Sequence, residues 1–217
     1  YAINDAYAPR NITRVGAWGR DVVNIAKDQI GYNEENGVSK FDQWAGSNGY
    51  NNWNVNFVNY CLYYAGVDTD AIPWNTSYDY HAWQTALKNV AEYNTYTNGA
   101  AKVGDIVFVQ GWNAGQEYNV GIIVEDTGAQ YKIVFGDMNG NGRVEEQEFY
   151  KDWTQRILGY VTLSKSFEYQ AQDYDVTVSY NKLDDIKDVI ISSVVPNIMH
   201  SFTNGIKKYF KVILFNI

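Results

Sequence analysis

The chain reads as an α+β domain, and three features of the sequence predict this. Apolar residues recur at helical spacing through the first ninety positions. From Gly104 they switch to short β-rich runs, and turn residues such as Asp126-Thr127-Gly128 separate those runs. Helices first and an antiparallel sheet afterwards is the order expected of helices packed on one side of a small sheet. At 217 residues the chain has room for one medium domain and an appendage.

Residues 1–13 form a polar leader containing Pro9. Val15 to Ile30 predicts an amphipathic helix, because Val15, Trp18, Val22, Ile25, Ala26 and Ile30 fall on one stripe and Gly31 stops it. A Gly- and Asn-rich stretch follows, with Trp44-Ala45-Gly46 inside it. Asn54 to Ala65 predicts a second, strongly apolar helix closed by Gly66, with Val58, Cys61, Leu62 and Ala65 on its buried face. Ser77 to Val90 predicts a third. Strands are expected at Asp105–Gln110, Asn119–Glu125, Gln130–Phe135 and Ile157–Leu163.

The extension 164–217 differs from what precedes it. Tyr174–Tyr180 alternates like a strand, and two helical segments follow, the second with Pro196 at its first position. Ile198, Phe202, Ile206, Phe210 and Ile213 make a stripe accompanied by Lys207, Lys208 and Lys211. Two readings stand for it: a helix packed on this domain or on another chain, or a helix lying on a membrane surface. The run Val189–Ile206 is too polar for a transmembrane span.

Formal charge is −8 and no basic stripe is present, which argues against nucleic acid as a partner. Cys61 is the only cysteine, so no intramolecular disulfide and no Cys-rich metal site can form. The chain opens at Tyr1 without a signal-peptide pattern, and is expected to be a processed or excised piece of a longer precursor. Tyr, Trp and Asn are abundant; such residues stack on sugars and peptides and equally fill small α+β cores.

A thiol nucleophile works best at a helix N-terminus, with its base supplied by a neighbouring strand. The scaffold for that arrangement is visible. Trp53-Asn54-Val55-Asn56-Phe57-Val58 opens the apolar helix that ends at Ala65-Gly66. Gly104-Asp105-Ile106-Val107-Phe108 starts the sheet, and Asn119-Val120-Gly121-Ile122 supplies the adjacent strand. These segments resemble the CHAP family, relatives of the NlpC/P60 peptidases, whose helix begins Trp-Cys and whose strand begins His-Val-Gly-Ile. Phe135-Gly136-Asp137 corresponds to the family's Glu-Gly-Asn, and Ile157-Leu158-Gly159-Tyr160 to its closing Ile-x-Gly-Tyr. Gln29-Ile30-Gly31-Tyr32 matches the opening helix, so the resemblance spans about residues 14–163 in order.

The resemblance implies a papain-like fold and a cysteine-type amidase or endopeptidase acting on peptidoglycan. The chemistry departs from it. The nucleophile position holds Asn54 and the base position Asn119, and a carboxamide is neither a thiolate nor an imidazole base. The orienting positions hold Phe135 and Asp137. Cys61 lies two helical turns beyond Asn54, roughly 10 Å along the axis, and reads as a buried structural thiol. His81 and His200 fall outside any motif.

Residues 137–148 fit the twelve-residue EF-hand pattern. Asp137, Asn139 and Asn141 would supply oxygens, Gly142 the sharp turn, Arg143 a backbone carbonyl, Glu145 a ligand and Glu148 the bidentate closer. The expectation is a structural calcium ion; the alternative is an acidic, Gly-rich hairpin with no ion. If Asp137 binds calcium, it is not free to orient a base at position 119.

Together these readings lead to a secreted or cell-surface CHAP-like pseudoenzyme, stabilised by calcium, that holds peptidoglycan or wall peptides. Trp53, Trp112 and Tyr118 flank the old cleft and either stack on that ligand or pack as core. The alternative is an active peptidoglycan amidase or endopeptidase whose Cys and His stand replaced by Asn54 and Asn119, by natural degeneration or by deliberate substitution. An assembly role for the 164–217 extension is a third reading.

Overall fold

A computed structural model describes residues 4–10, 12, 18–47, 52–67, 72, 79–111 and 118–162. The chain divides into two units, Tyr1–Asp173 and Tyr174–Ile217. The expected elements of the 164–217 extension, the start of the first helix before Trp18, and Trp112 lie outside the described residues.

The first unit is α+β. Four helices come first: α1 (Trp18–Asp28), α2 (Lys40–Ala45), α3 (Asn54–Tyr64) and α4 (Tyr80–Leu87). Six strands follow: β1 (Tyr93–Thr95), β2 (Ile106–Gln110), β3 (Tyr118–Asp126), β4 (Gln130–Gly136), β5 (Val144–Tyr150) and β6 (Ile157–Val161). They form one antiparallel sheet in the order β1-β6-β2-β3-β4-β5.

Each strand's alternation divides the core in two. Ile106 and Phe108 of β2, Val120, Ile122 and Val124 of β3, and Val134 of β4 pack with α1 and α3. Val107, Val109, Ile123, Ile133 and Phe135 point the other way and join Tyr131, Phe149 and Ile157. Both faces of the central strands are therefore buried, which is why β2 and β3 read as continuous apolar runs.

The third helix is the centre of the first core. Phe57, Val58, Tyr60, Cys61 and Leu62 are fully buried, each large apolar side chain contributing about 1.5–3 kcal/mol by leaving water. It stops where the sequence says it should: Gly66 takes φ 86°, and the Gly66 and Val67 amides donate to Tyr63 and Leu62 carbonyls.

Three elements differ from the sequence expectation. The second helix lies inside the stretch read as irregular. Its Ser39 cap accepts from the Asp42 amide, and its apolar side, Phe41, Trp44 and Ala45, is buried. Six residues are too few for a helical period to show. The three-residue β1 pairs with β6 and has no pattern of its own. Val144–Tyr150, assigned to the end of a calcium loop and beyond, is strand β5, paired residue by residue with Gln130–Gly136.

Candidate functional site

The β4–β5 connection, residues 137–143, is a turn of seven residues closed by backbone hydrogen bonds, and it gathers the predicted positions. Asp137, at φ 55°, ends β4. Its amide donates to the Arg143 carbonyl at 2.7 Å, which closes the turn. One oxygen of its carboxylate accepts from the Gly142 amide at 2.8 Å and the other from the Trp53 amide at 3.0 Å. Trp53 immediately precedes α3, whose first amides have no partner within the helix. The Asn54 amide, next in line, donates to the Asn52 side chain at 2.9 Å. The Asn52 side chain in turn donates to the Asp137 carbonyl at 3.0 Å. The start of α3 is thus capped from the turn and not by its own N-cap side chain.

The same turn holds Asn119. The Asn119 amide nitrogen donates to Asn139 Oδ1 at 2.9 Å, and the Asn139 backbone N–H donates to Asn119 Oδ1 at 3.0 Å. Because a backbone N–H can only donate, this second bond fixes which end of the Asn119 amide is oxygen. Asn139 adopts φ 55°, a conformation asparagine tolerates better than most residues. Positions 54 and 119 are therefore connected in one chain of contacts: Asn54, Trp53, Asp137, Asn139, Asn119. Asn119 has the strand parity of Gly121 and Ile123, away from the row that packs on α3, and reaches the turn from the end of β3.

Both carboxamides are buried, at 2% and 1% exposure. Among the described residues Asn54 Oδ1 finds no hydrogen-bond partner, and neither do Asn56 Oδ1 and Asn59 Nδ2 on the same helix. Burial pushes the Asp137 carboxyl up, against the lowering effect of its two backbone donors; Glu34 and Asp42 add to the rise. Among the described residues no imidazole or thiol takes part. Cys61 is fully buried, and burial raises its thiol well above its ordinary range. His81 lies exposed on α4, its ring 4.6 Å from that of Tyr118 and 5.0 Å from that of Tyr80. His200 lies outside the described residues.

The expected stacking residues separate. Trp53 is a core residue, not a cleft residue: it is 2% exposed, stacks on Phe41 at 5.1 Å, and its indole N–H donates to Glu34 at 2.8 Å. Tyr118 is half-buried beside His81. Phe135 packs against Phe149 in the second core and orients nothing.

The six expected calcium ligands are not brought together either. Glu148 lies on β5 opposite Lys132, four residues beyond Val144, which pairs with Gly136 at the mouth of the turn. At about 3.3 Å per residue it stands ~13 Å along the strand from the turn, out of reach as a bidentate closer. It stands across from Lys132, whose ion pairs are with Glu125 and Glu146 and whose pKa Glu148 raises less than either. Within the turn the oxygens serve one another's donors. Asn139 Oδ1 accepts from Asn119, Asn141 Oδ1 from the Arg143 amide at 3.2 Å, and Glu145 from the Asn141 side chain at 2.8 Å. Among the described residues no three His, Cys, Asp or Glu side chains converge as a metal site would need. A twelve-residue EF-hand loop requires its last residue to fold back over the first, and in the β4–β5 pairing Glu148 does not.

Asn139, expected as a calcium ligand, bonds to position 119 in this structure, and nothing in the spacing between the two signals that pairing. Asn52 and Glu34 were likewise missed, since both act through contacts distant in sequence.

No family model matches the chain. A 30-residue stretch, 14% of this chain, is 67% identical to part of the type III pantothenate kinase of Agathobacter rectalis and covers 12% of that protein. Among solved structures, the chain is similar to Ly7917, at 14% identity and a TM-score of 0.45 over 66% of this chain and 62% of that one. The structure of Ly7917 with the hydrolyzing product of MDP gives 13% identity, the same TM-score and the same coverage. The chain thus spans about an eighth of the length of the kinase and less than two thirds of Ly7917. A likeness of this degree says nothing of the chemistry at residues 54 and 119.

Proposed function

We propose that this is a CHAP-type, papain-like domain that has lost its thiol–imidazole chemistry. In this reading it acts outside the cell or at its surface as a cell-wall binding or structural module. One observation carries the reading: two buried carboxamides, Asn54 and Asn119, are held around a single turn where the resemblance asks for a nucleophile and its base. Neither amide ionises near neutrality or takes up a proton there, so the corner can hold a conformation and cannot run acyl transfer. Tyr118, adjacent to Asn119 in β3, and His81, whose ring meets that of Tyr118, would serve as the stacking face for wall peptide or glycan. Co-sedimentation with purified peptidoglycan tests this. Retention that falls in Tyr118→Ala supports a binding module; no retention removes wall binding from the proposal.

A second reading is favoured by Asn139. Its side-chain oxygen accepts an N–H from position 119, as an orienting amide would from an imidazole. The support for a base therefore outlives the base. On this reading the parent activity is a peptidoglycan amidase or endopeptidase, recoverable by Asn54→Cys with Asn119→His. Release of soluble muropeptides by the double variant favours loss of two side chains from a working site. Continued inactivity favours the degenerate module.

Calcium is proposed only in reduced form, at Asp137, Asn141, Glu145 and the Arg143 carbonyl. Binding there has to displace the bonds these groups now make to one another. A ligand of the native state alone raises the melting temperature, so identical melting in EDTA and in millimolar calcium rejects the site.

A further inference from the structure

The N-terminal segment and the α1–α2 corner line an open cavity of about 410 Å³, remote in sequence from residues 119–145. One wall is the segment Ala6–Arg10, fastened by the Tyr60 hydroxyl donating to the Tyr7 carbonyl at 2.7 Å. The Tyr64 hydroxyl donates to Asp5 at the same distance. The other wall is Asp28–Ile30, Tyr32 and Lys40. A volume of this size lies within the range of small-ligand sites.

Lys40 is the unusual group. Its ammonium lies 4.9 Å from the Tyr32 ring, 5.2 Å from Phe41 and 5.9 Å from Tyr60, and it donates to the Gln29 side-chain oxygen. Among the described residues it has no carboxylate within ion-pair distance. The half-buried ammonium is surrounded by rings and a neutral amide, and Asp28 acts on it only from beyond ion-pair distance. Arg10 has none either among the described residues. With Asp28 as the one acid in the lining, the cavity carries 2 − 1 = +1 in a chain whose formal charge is −8. A positive recess in an acidic protein selects an anion. Ile30, 42% exposed, and Pro9 add an apolar surface beside it.

We propose that this cavity binds a short peptide by its free carboxylate, with Lys40 Nζ as the anion's partner, Arg10 at the rim, and Asp28 placed for the peptide's amino group. Burial lowers the pKa of the Lys40 ammonium and Asp28 offsets part of that; a bound carboxylate would oppose the lowering further. The proposal does not depend on the reading of residues 54 and 119.

Calorimetric titration of the full chain with dialanine and with dialanine amide tests it. Saturable binding of the acid is expected, with the amide and Lys40→Met each about tenfold weaker and Arg10→Gln weaker by a few-fold. Tyr118→Ala, the variant that tests wall binding, should leave the acid's affinity unchanged, which separates this site from the wall-binding reading. Equal affinity for acid and amide overturns the proposal, and so does absence of saturation below about 10 mM. Undiminished binding by a folded Lys40→Met also overturns it. Should Lys40→Met fail to fold, the acid–amide comparison and Arg10→Gln, which changes an exposed side chain, decide the matter.

Discussion

Replacing Asn139 by glycine and, separately, by alanine divides two energies that the turn combines. Glycine removes the side-chain oxygen that accepts from Asn119 and keeps a backbone that favours φ 55°. The Asn119 amide nitrogen is then left without its partner in a residue only 1% exposed, at a cost of about 1–3 kcal/mol. The bond from the residue 139 N–H to Asn119 Oδ1 survives in both variants. Alanine loses the same side-chain bond and also holds a Cβ in the left-handed region, adding about 1–2 kcal/mol. For a chain of this length each kcal/mol lowers the melting temperature by roughly 2–4 °C. Thermal melts followed by circular dichroism, with urea titrations to confirm unchanged m-values, should order the proteins wild type, Asn139→Gly, Asn139→Ala. Adding Asn119→Ala completes a double-mutant cycle, which should show coupling of at least about 0.5 kcal/mol. Glycine and alanine variants equal to wild type, or a coupling indistinguishable from zero, would refute the claim that Asn139 positions residue 119.

Other expectations follow from burial and close packing. A Cβ at Gly136 would lie 2.6 Å from Phe57 and Trp53, both buried, so Gly136→Ala should cost about 1–3 kcal/mol by overpacking. Gly19→Ala, in α1 with nothing within 4 Å of the new methyl, should gain roughly 0.5–1 kcal/mol; equal melting of the two variants would contradict the packing. Burial raises the carboxyl pKa of Asp42, Asp105 and Asp137 in the folded protein. A carboxyl raised on folding contributes stability that is full below its unfolded pKa, about 3.9, and lost as pH rises through the folded value. The three therefore lower the melting temperature as pH rises from about 4 towards neutrality, and Asp42→Asn should flatten that slope. Asp126, lowered by Lys151, works in the opposite direction from an exposed site and counts for less. Cys61 should resist thiol reagents in the native protein and react once urea unfolds it; native-state labelling would place that thiol elsewhere.

Period and punctuation determined most of the fold from the sequence alone. The α3 helix, its stop at Gly66, and strands β2, β3, β4 and β6 were legible because burial of one or both faces writes a pattern of apolar residues along the chain. The positions of the two carboxamides, one at a helix start and one at a strand start, were legible for the same reason. Helix α2 and strand β1 were not, since three to six residues hold too little pattern. The turn after β4 was ambiguous for a different reason. Its Asp, Asn and Gly residues suit a calcium loop and a tight hairpin equally, because both need left-handed backbone and short oxygen-bearing side chains. Only the β4–β5 register settles which residues can meet: it carries Glu148 away along the strand and leaves Asp137 and Asn139 to brace α3 and Asn119. Such contacts join residues 20 and 84 positions apart, and a hydrogen bond across that separation leaves no periodic trace in the sequence that makes it.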